Sequence, residues 1–287
     1  MNLAFFVRIA NLIYNAGMKK LHINILGRKV AVNHVGQGKP VFMLHGWGGG
    51  KESWDALINE LSSLGLLETF CFIAIDFPGF GESEEPVEAW GVMDYSKWFG
   101  MLVDTVYETL KLQGNYDLIV HSFGGRVLLK YLSYFEERPA NPDKLVMIAA
   151  AGIKPVKTTK VKMAAIAAKT GKKVMSLPVL RWTAPAAQKL LYKLLKSHDY
   201  EKTSGVMRET FIKVIDEDLT SNIREVNRPT LILWGDQDSY VPVEDGKFME
   251  QNIKGSSMKV IKGGRHGIHK THAKELAVWI KDFLTGL

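Results

Sequence analysis

The chain has 287 residues, 46% of them apolar and 23% charged, with a single cysteine and a formal net charge of +7. That is enough chain for one large domain or a domain with a sizeable insertion, and it excludes an intramolecular disulfide, a disordered polar chain and a low-complexity repeat. The positive charge is confined to one region: residues 154–196 hold eleven Lys/Arg and no acid. Removing them leaves a formal −4, which argues against a nucleic-acid protein with a broad basic face.

Residues 3–13 are apolar, but no basic stretch precedes them and Arg8 interrupts them. They read as a short amphipathic helix packed on the body, with weak contact to a membrane surface as the alternative, and not as a signal peptide or a membrane span. Residues 21–26 and 29–34 read as a hairpin turning at Gly27-Arg28. Strands are expected at 40–44, 72–75, 117–120, 144–149, 230–234 and 258–261. Helices are expected at 52–63, 95–112, 125–132 and 273–284. Short apolar runs alternating with amphipathic helices are the pattern of a mostly parallel sheet covered by helices. Cys71 sits in one such run and reads as a small buried hydrophobe, compatible with a reducing, cytoplasmic setting.

The interval 153–226 breaks this rhythm. It is helical in pattern, punctuated by Pro155, Pro178 and Pro185, and it separates two strands expected to be neighbours. It reads as a helical cap inserted between two parts of one core, residues 1–152 and 227–287. Leu190, Leu191, Leu194 and Leu195 share one helical face there, flanked by Lys189, Lys193 and Lys196. The leucines pack on the body with the lysines solvated, or the basic side attracts an acidic substrate or a membrane surface.

Chemistry concentrates at the strand ends. Ser122 lies between an apolar strand and the pair Gly124-Gly125, where a strand-to-helix turn would present its hydroxyl near the first N–H groups of a helix. A serine hydroxyl needs a base, and the base an orienting acid. Downstream, Asp236 and Asp238 follow one strand and His266 follows another, which is the chain order Ser, Asp, His. Asp236 directly follows a turn glycine and is expected to bind turn backbone, so Asp238 is preferred as the acid. Ala149-Ala150-Ala151-Gly152 offers no rival carboxylate.

His266, with His269 as fallback, is the expected base. The spacing of His266, His269 and His272 raises a metal site, but Gly263 and Gly264 make the segment a loop and no acid lies near. Backbone N–H groups of Phe123 and of Trp47, in a glycine-rich turn, are the expected oxyanion donors. No Gly-Lys-Ser/Thr closes that turn, so it does not read as a phosphate loop.

The motifs His45-Gly46-Trp47-Gly48-Gly49, Asp76-Phe77-Pro78-Gly79-Phe80-Gly81-Glu82-Ser83, His121-Ser122-Phe123-Gly124-Gly125, Trp234-Gly235-Asp236-Gln237-Asp238 and Gly264-Arg265-His266 stand in the order of the α/β-hydrolase superfamily, which the chain closely resembles outside the cap. The resemblance implies an eight-stranded, mostly parallel sheet flanked by helices. It also implies Ser122 as nucleophile, His266 as base, Asp238 as its orienter, Trp47 and Phe123 as oxyanion donors, and no cofactor or metal. The turn from Asp76 to Ser83 would be structural. The expected activity is hydrolysis of a carboxylic ester of a small or medium-sized molecule, anionic or lipid-like. The alternatives are carbon–carbon bond hydrolysis of a diketone-like acid, against which Gly267 gives no aromatic wall after the histidine, or an inert binding protein on the same fold. Two positions depart from the pattern. Val120 replaces a usual glycine, and Val120→Gly should be tolerated if the turn is ordinary. Arg265 replaces a smaller residue, as a substrate contact or an exposed side chain.

Overall fold

The computed structural model describes residues 17–134, 141–154 and 204–286. The expected N-terminal helix, the leucine face at 190–195 and most of the basic segment lie outside these residues. Eight strands form one sheet: β1 (Lys19–Ile25), β2 (Arg28–Gly36), β3 (Lys39–Leu44), β4 (Phe70–Ile75), β5 (Tyr116–His121), β6 (Pro142–Ile148), β7 (Thr230–Gly235) and β8 (Ser256–Ile261), in the spatial order β1-β2-β4-β3-β5-β6-β7-β8. Strand β2 runs antiparallel to both its neighbours, and every other pairing is parallel. The expected eight-stranded, mostly parallel architecture is therefore present.

Central strands buried on both faces must be apolar throughout. Strands β4, β5 and β7 are fully buried along their length, whereas the edge strand β8 is largely exposed. The described helices are α1 (Asp55–Ser63), α2 (Val92–Leu110), α3 (Phe123–Tyr134), α4 (Gly205–Asp216), α5 (Thr220–Glu225), α6 (Val243–Asn252) and α7 (Ala273–Thr285), with a helical turn at Ile268–Thr271. Alternation along β5 divides the core. Leu118 and Val120 join the cluster containing α2 and α3, and Ile119 joins the opposite cluster containing α1 and α7.

Three local expectations shift. The hairpin turns at Leu26-Gly27, one residue before Gly27-Arg28, because Ile25 pairs with Arg28 and leaves a two-residue loop. Both loop residues have positive φ, 55° and 75°, as the twist of a tight hairpin demands. The helix expected at 52–63 divides into a 3₁₀ turn, Lys51–Trp54, followed by α1. Helix α6 went unread because its sequence, VEDGKFMEQN, buries only Gly246 and Met249.

The turn from β5 into α3 rests on two close approaches. A Cβ at Gly124 would lie 2.4 Å from the Leu44 carbonyl oxygen, and one at Gly125 would lie 2.6 Å from the Ala150 Cβ. The first turn of α3 thus sits between the ends of β3 and β6. Val120, one residue before the end of β5, is completely buried in the cluster that includes Phe99, Val127 and Leu128. The surrounding side chains have packed around valine. Val120→Gly is therefore expected to cost roughly 2–4 kcal/mol through a cavity and added backbone freedom. Urea denaturation of the two proteins measures it; a loss within experimental error would mean the space is already slack.

Candidate active site

Ser122 has a left-handed backbone, φ 48°, a conformation costly for a residue other than glycine. Backbone hydrogen bonds to β6, to the segment after it and within the first turn of α3 hold it there. Its N–H donates to the Ile148 carbonyl at 3.2 Å, and its carbonyl accepts from Gly125 and Ala151, each at 2.9 Å. Phe123 follows as the first residue of α3, among the N–H groups that a helix leaves without internal partners. No hydrogen bond among the described residues occupies the Trp47 N–H or the Ser122 hydroxyl. Trp47, Ser122, Phe123, Tyr240 and His266 all line one cavity of about 600 Å³.

The acid and the histidine meet because the two loops that carry them touch. A Cβ at Gly235 would lie 2.3 Å from the Gly264 carbonyl carbon, so only glycine permits the approach. Gln237 N–H then donates to the Gly264 carbonyl at 2.9 Å. Asp236 binds the turn itself, accepting from Gly263 N–H at 2.6 Å. Asp238 is turned the other way: its fully buried carboxylate lies 2.7 Å from His266 Nδ1. The second carboxylate oxygen accepts from Tyr240 and Val241 N–H at 2.8 and 3.0 Å. An ionised carboxylate only accepts, so Nδ1 carries the proton and Nε2 is left as a base. No hydrogen bond joins Ser122 Oγ to His266 in this conformation; such contacts tighten on substrate binding.

The other histidines serve the frame. His45 is completely buried, accepting from Phe77 N–H at 3.1 Å and donating through Nδ1 to the Gly46 carbonyl at 2.7 Å. Burial pushes its pKa down to about 4. His121 donates through Nε2 to the His266 carbonyl at 3.0 Å, which ties the His266 backbone to β5, the strand that leads into Ser122. Burial, then the adjacent His269 and His266, hold His121 well below its ordinary pKa. The His269 ring packs at a tilt against His121, centroids 4.2 Å apart, and against Trp54 at 5.1 Å, and burial pushes its pKa down to about 3. His272 instead pairs with Thr271. The three histidines spaced by three residues thus have separate partners, and among the described residues no group of His, Cys, Asp and Glu could hold a metal.

Three features escaped sequence reading. Lys51 is completely buried, and its ammonium contacts Asp76 at 2.9 Å, Glu82 at 3.1 Å and Glu52 at 2.7 Å. Burial alone would lower its pKa, but these three carboxylates outweigh that and hold it above its usual value. Its backbone N–H also donates to Asp76 at 2.6 Å, so the glycine-rich turn before Lys51 is fastened to the Asp76–Ser83 turn. Tyr240 lies beside the His266 ring at 5.2 Å. Arg126, on α3, lines the cavity while only 6% exposed. Arg265 is exposed and does not line the cavity.

A family model described as "alpha/beta hydrolase fold" matches residues 39–202. The AB hydrolase superfamily protein YisY of Bacillus subtilis is 27% identical over 268 residues, covering 88% of this chain and 94% of that protein. A pimeloyl-[acyl-carrier protein] methyl ester esterase of Neisseria meningitidis is 22% identical over 265 residues, covering 87% and 94%. The solved structure of an esterase from Exiguobacterium antarcticum superposes with a TM-score of 0.67 at 24% identity, covering 93% of this chain and all of that one. This likeness concerns the fold. No described helix is long and apolar enough to cross a membrane.

The buried neutral histidines give stability a pH dependence. His269 has a folded pKa near 3 against about 6.5 when unfolded, so unfolding takes up a proton between those values. Its contribution is complete above about pH 6.5 and falls as the pH drops. Relative to His269→Phe, the natural protein should lose about 1 kcal/mol per pH unit between pH 6 and 4. Denaturant titrations at several pH values measure this; parallel pH profiles would show His269 to be no more buried than an ordinary histidine.

Proposed function

Because the chain belongs to the alpha/beta hydrolase fold family, we propose that it is a cofactor-independent serine hydrolase cleaving a carboxylic ester of a small or medium-sized molecule. The observation that carries this reading is the 2.7 Å contact of His266 Nδ1 with Asp238, opening on the same cavity as Ser122 in its left-handed turn. In this reading Ser122 Oγ attacks the ester carbonyl and gives its proton to His266 Nε2. Asp238 holds the imidazole tautomer and stabilises the imidazolium. The Trp47 and Phe123 N–H groups receive the tetrahedral oxyanion. Collapse of that intermediate breaks the bond to the alcohol, which leaves with the proton from His266. Water, deprotonated by His266, then releases the acid and regenerates Ser122.

The methyl ester esterase of Neisseria supports ester chemistry over 87% of the chain. Residues 153–226 are proposed as the cap; within them Phe211, Val214 and Ile215 of α4 line the cavity. A small-molecule substrate fits the cavity's size. Carbon–carbon bond hydrolysis remains the second reading because Tyr240 supplies an aromatic ring beside His266 that Gly267 lacks. Both readings require the same nucleophile, and an inert binding protein does not.

A fluorophosphonate probe separates these classes. The natural protein should label and Ser122→Ala should not, with ester hydrolysis lowered at least about 1,000-fold. Asp238→Asn should lower kcat by roughly 1,000- to 10,000-fold through loss of the correct tautomer. Absence of labelling in the natural protein, under conditions that label a known serine hydrolase, would remove the enzyme reading.

A further inference from the structure

Arg126 stands four residues after Ser122 on α3, one helical turn along the same face and roughly 6 Å further along the axis. Its side chain reaches the cavity that holds Ser122 and His266, yet the residue is only 6% exposed. A guanidinium has five N–H donors. Among the described residues Arg126 makes a single hydrogen bond, from Nη1 to the Glu217 carbonyl at 2.8 Å.

The neighbouring acids are committed elsewhere. The Glu217 carboxylate pairs with Lys130 at 2.6 Å. Asp218 accepts from the Thr220 hydroxyl at 2.6 Å and from its N–H at 3.0 Å. Asp238 is held by His266 and by backbone N–H groups. Asp245 lines the same cavity and forms no ion pair with Arg126. The Asp245 carboxyl is pushed up to about 6, by burial first and then by Glu244, while the Arg126 charge pulls it down; near neutral pH it is still mostly ionised and acts on Arg126 through the field, without a direct hydrogen bond. The C-terminal end of α4 partly offsets the guanidinium through its carbonyl dipoles. Glu217, Asp218 and Asp245 favour the Arg126 charge only from a distance, and a buried guanidinium with most of its donors unfilled is costly.

We infer that Arg126 is a specificity-determining residue that receives a carboxylate of the substrate. The preferred ester is then a monoanion, such as the monoester of a short dicarboxylic acid. The guanidinium's remaining donors form a planar fork that a carboxylate satisfies bidentately. This inference rests on Ser122 being the nucleophile for its chemistry, but the anion site itself does not. The competing role for Arg126 is that of a strut, fastening the chain at Glu217 to α3.

The experiment has two arms. The first compares kcat/KM for monomethyl succinate, glutarate and adipate with that for the corresponding neutral dimethyl esters. The natural protein should favour the monoanions by about tenfold or more, Arg126→Gln should bring the ratio near one, and Arg126→Lys should keep part of the preference. The second arm titrates glutarate and adipate into Ser122→Ala with and without Arg126→Gln by calorimetry. Affinity should fall about tenfold or more on losing Arg126. A ratio untouched by Arg126→Gln, or equal slowing of both ester classes with a lowered melting temperature, makes the residue a strut and overturns the inference. Diacid binding through Arg126 without hydrolysis of any ester would retain the anion site and remove the proposed chemistry. Hydrolysis without preference, and without diacid binding, would do the reverse.

Discussion

The clamp between the Ser122 peptide and the end of β6 is the constraint on which the arrangement of the cavity depends. Three backbone hydrogen bonds, to Ile148 and from Gly125 and Ala151, hold a serine in a conformation it would leave if free. The clamp requires α3 to start almost in contact with two strands, and Gly124 and Gly125 supply the missing side-chain volume on opposite sides. From that fixed start, Phe123 lines the cavity and Arg126 reaches it one turn later. The helix is therefore positioned by its first turn, and the side chains it brings to the cavity inherit their places from it.

A separate polar frame holds the facing wall. Lys51 with Asp76 and Glu82 joins the segment after the glycine-rich turn to the Asp76–Ser83 turn, and His45 adds a second tie through Phe77. Buried charges of this kind are costly unless fully paired. Here Asp76 also accepts the backbone N–H groups of Lys51 and Glu82. The ring of Trp47, packed on Phe80, Phe123 and Phe211, covers the space between the two walls. The two walls are thus rigid for different reasons, one through backbone clamps and one through buried ion pairs.

Much of this was legible in the residues. The fully buried strands announce themselves because burial on both faces demands unbroken apolar runs, and the order of serine, acid and histidine follows from where those runs end. Asp236 and Asp238 stand two positions apart, and the turn-binding direction of Asp236 was readable from the glycine directly before it. Other features were hidden for physical reasons. Lys51 and Arg126 look like solvated charges because nothing local distinguishes a buried cation from an exposed one; their partners lie 25 and 91 positions away. Helix α6 buries so little that it leaves hardly any apolar stripe. The hairpin turn was displaced because Leu26, an apolar residue in left-handed backbone, gives no turn signal.

The touching of the β7 and β8 loops at Gly235 and Gly264 also sets a schedule. Ser122 is made well before Asp238 and His266, and its strand β5 sits beside β3, with β6 and β7 still to be added before β8. A chain emerging from the ribosome therefore carries an ordinary hydroxyl at position 122 for much of its synthesis. The contact that could activate it cannot exist until the last strand docks. On the proposed chemistry, completion of the sheet, not synthesis of the serine, marks the moment at which this protein could become reactive, and a fragment ending before β8 would carry the turn without His266.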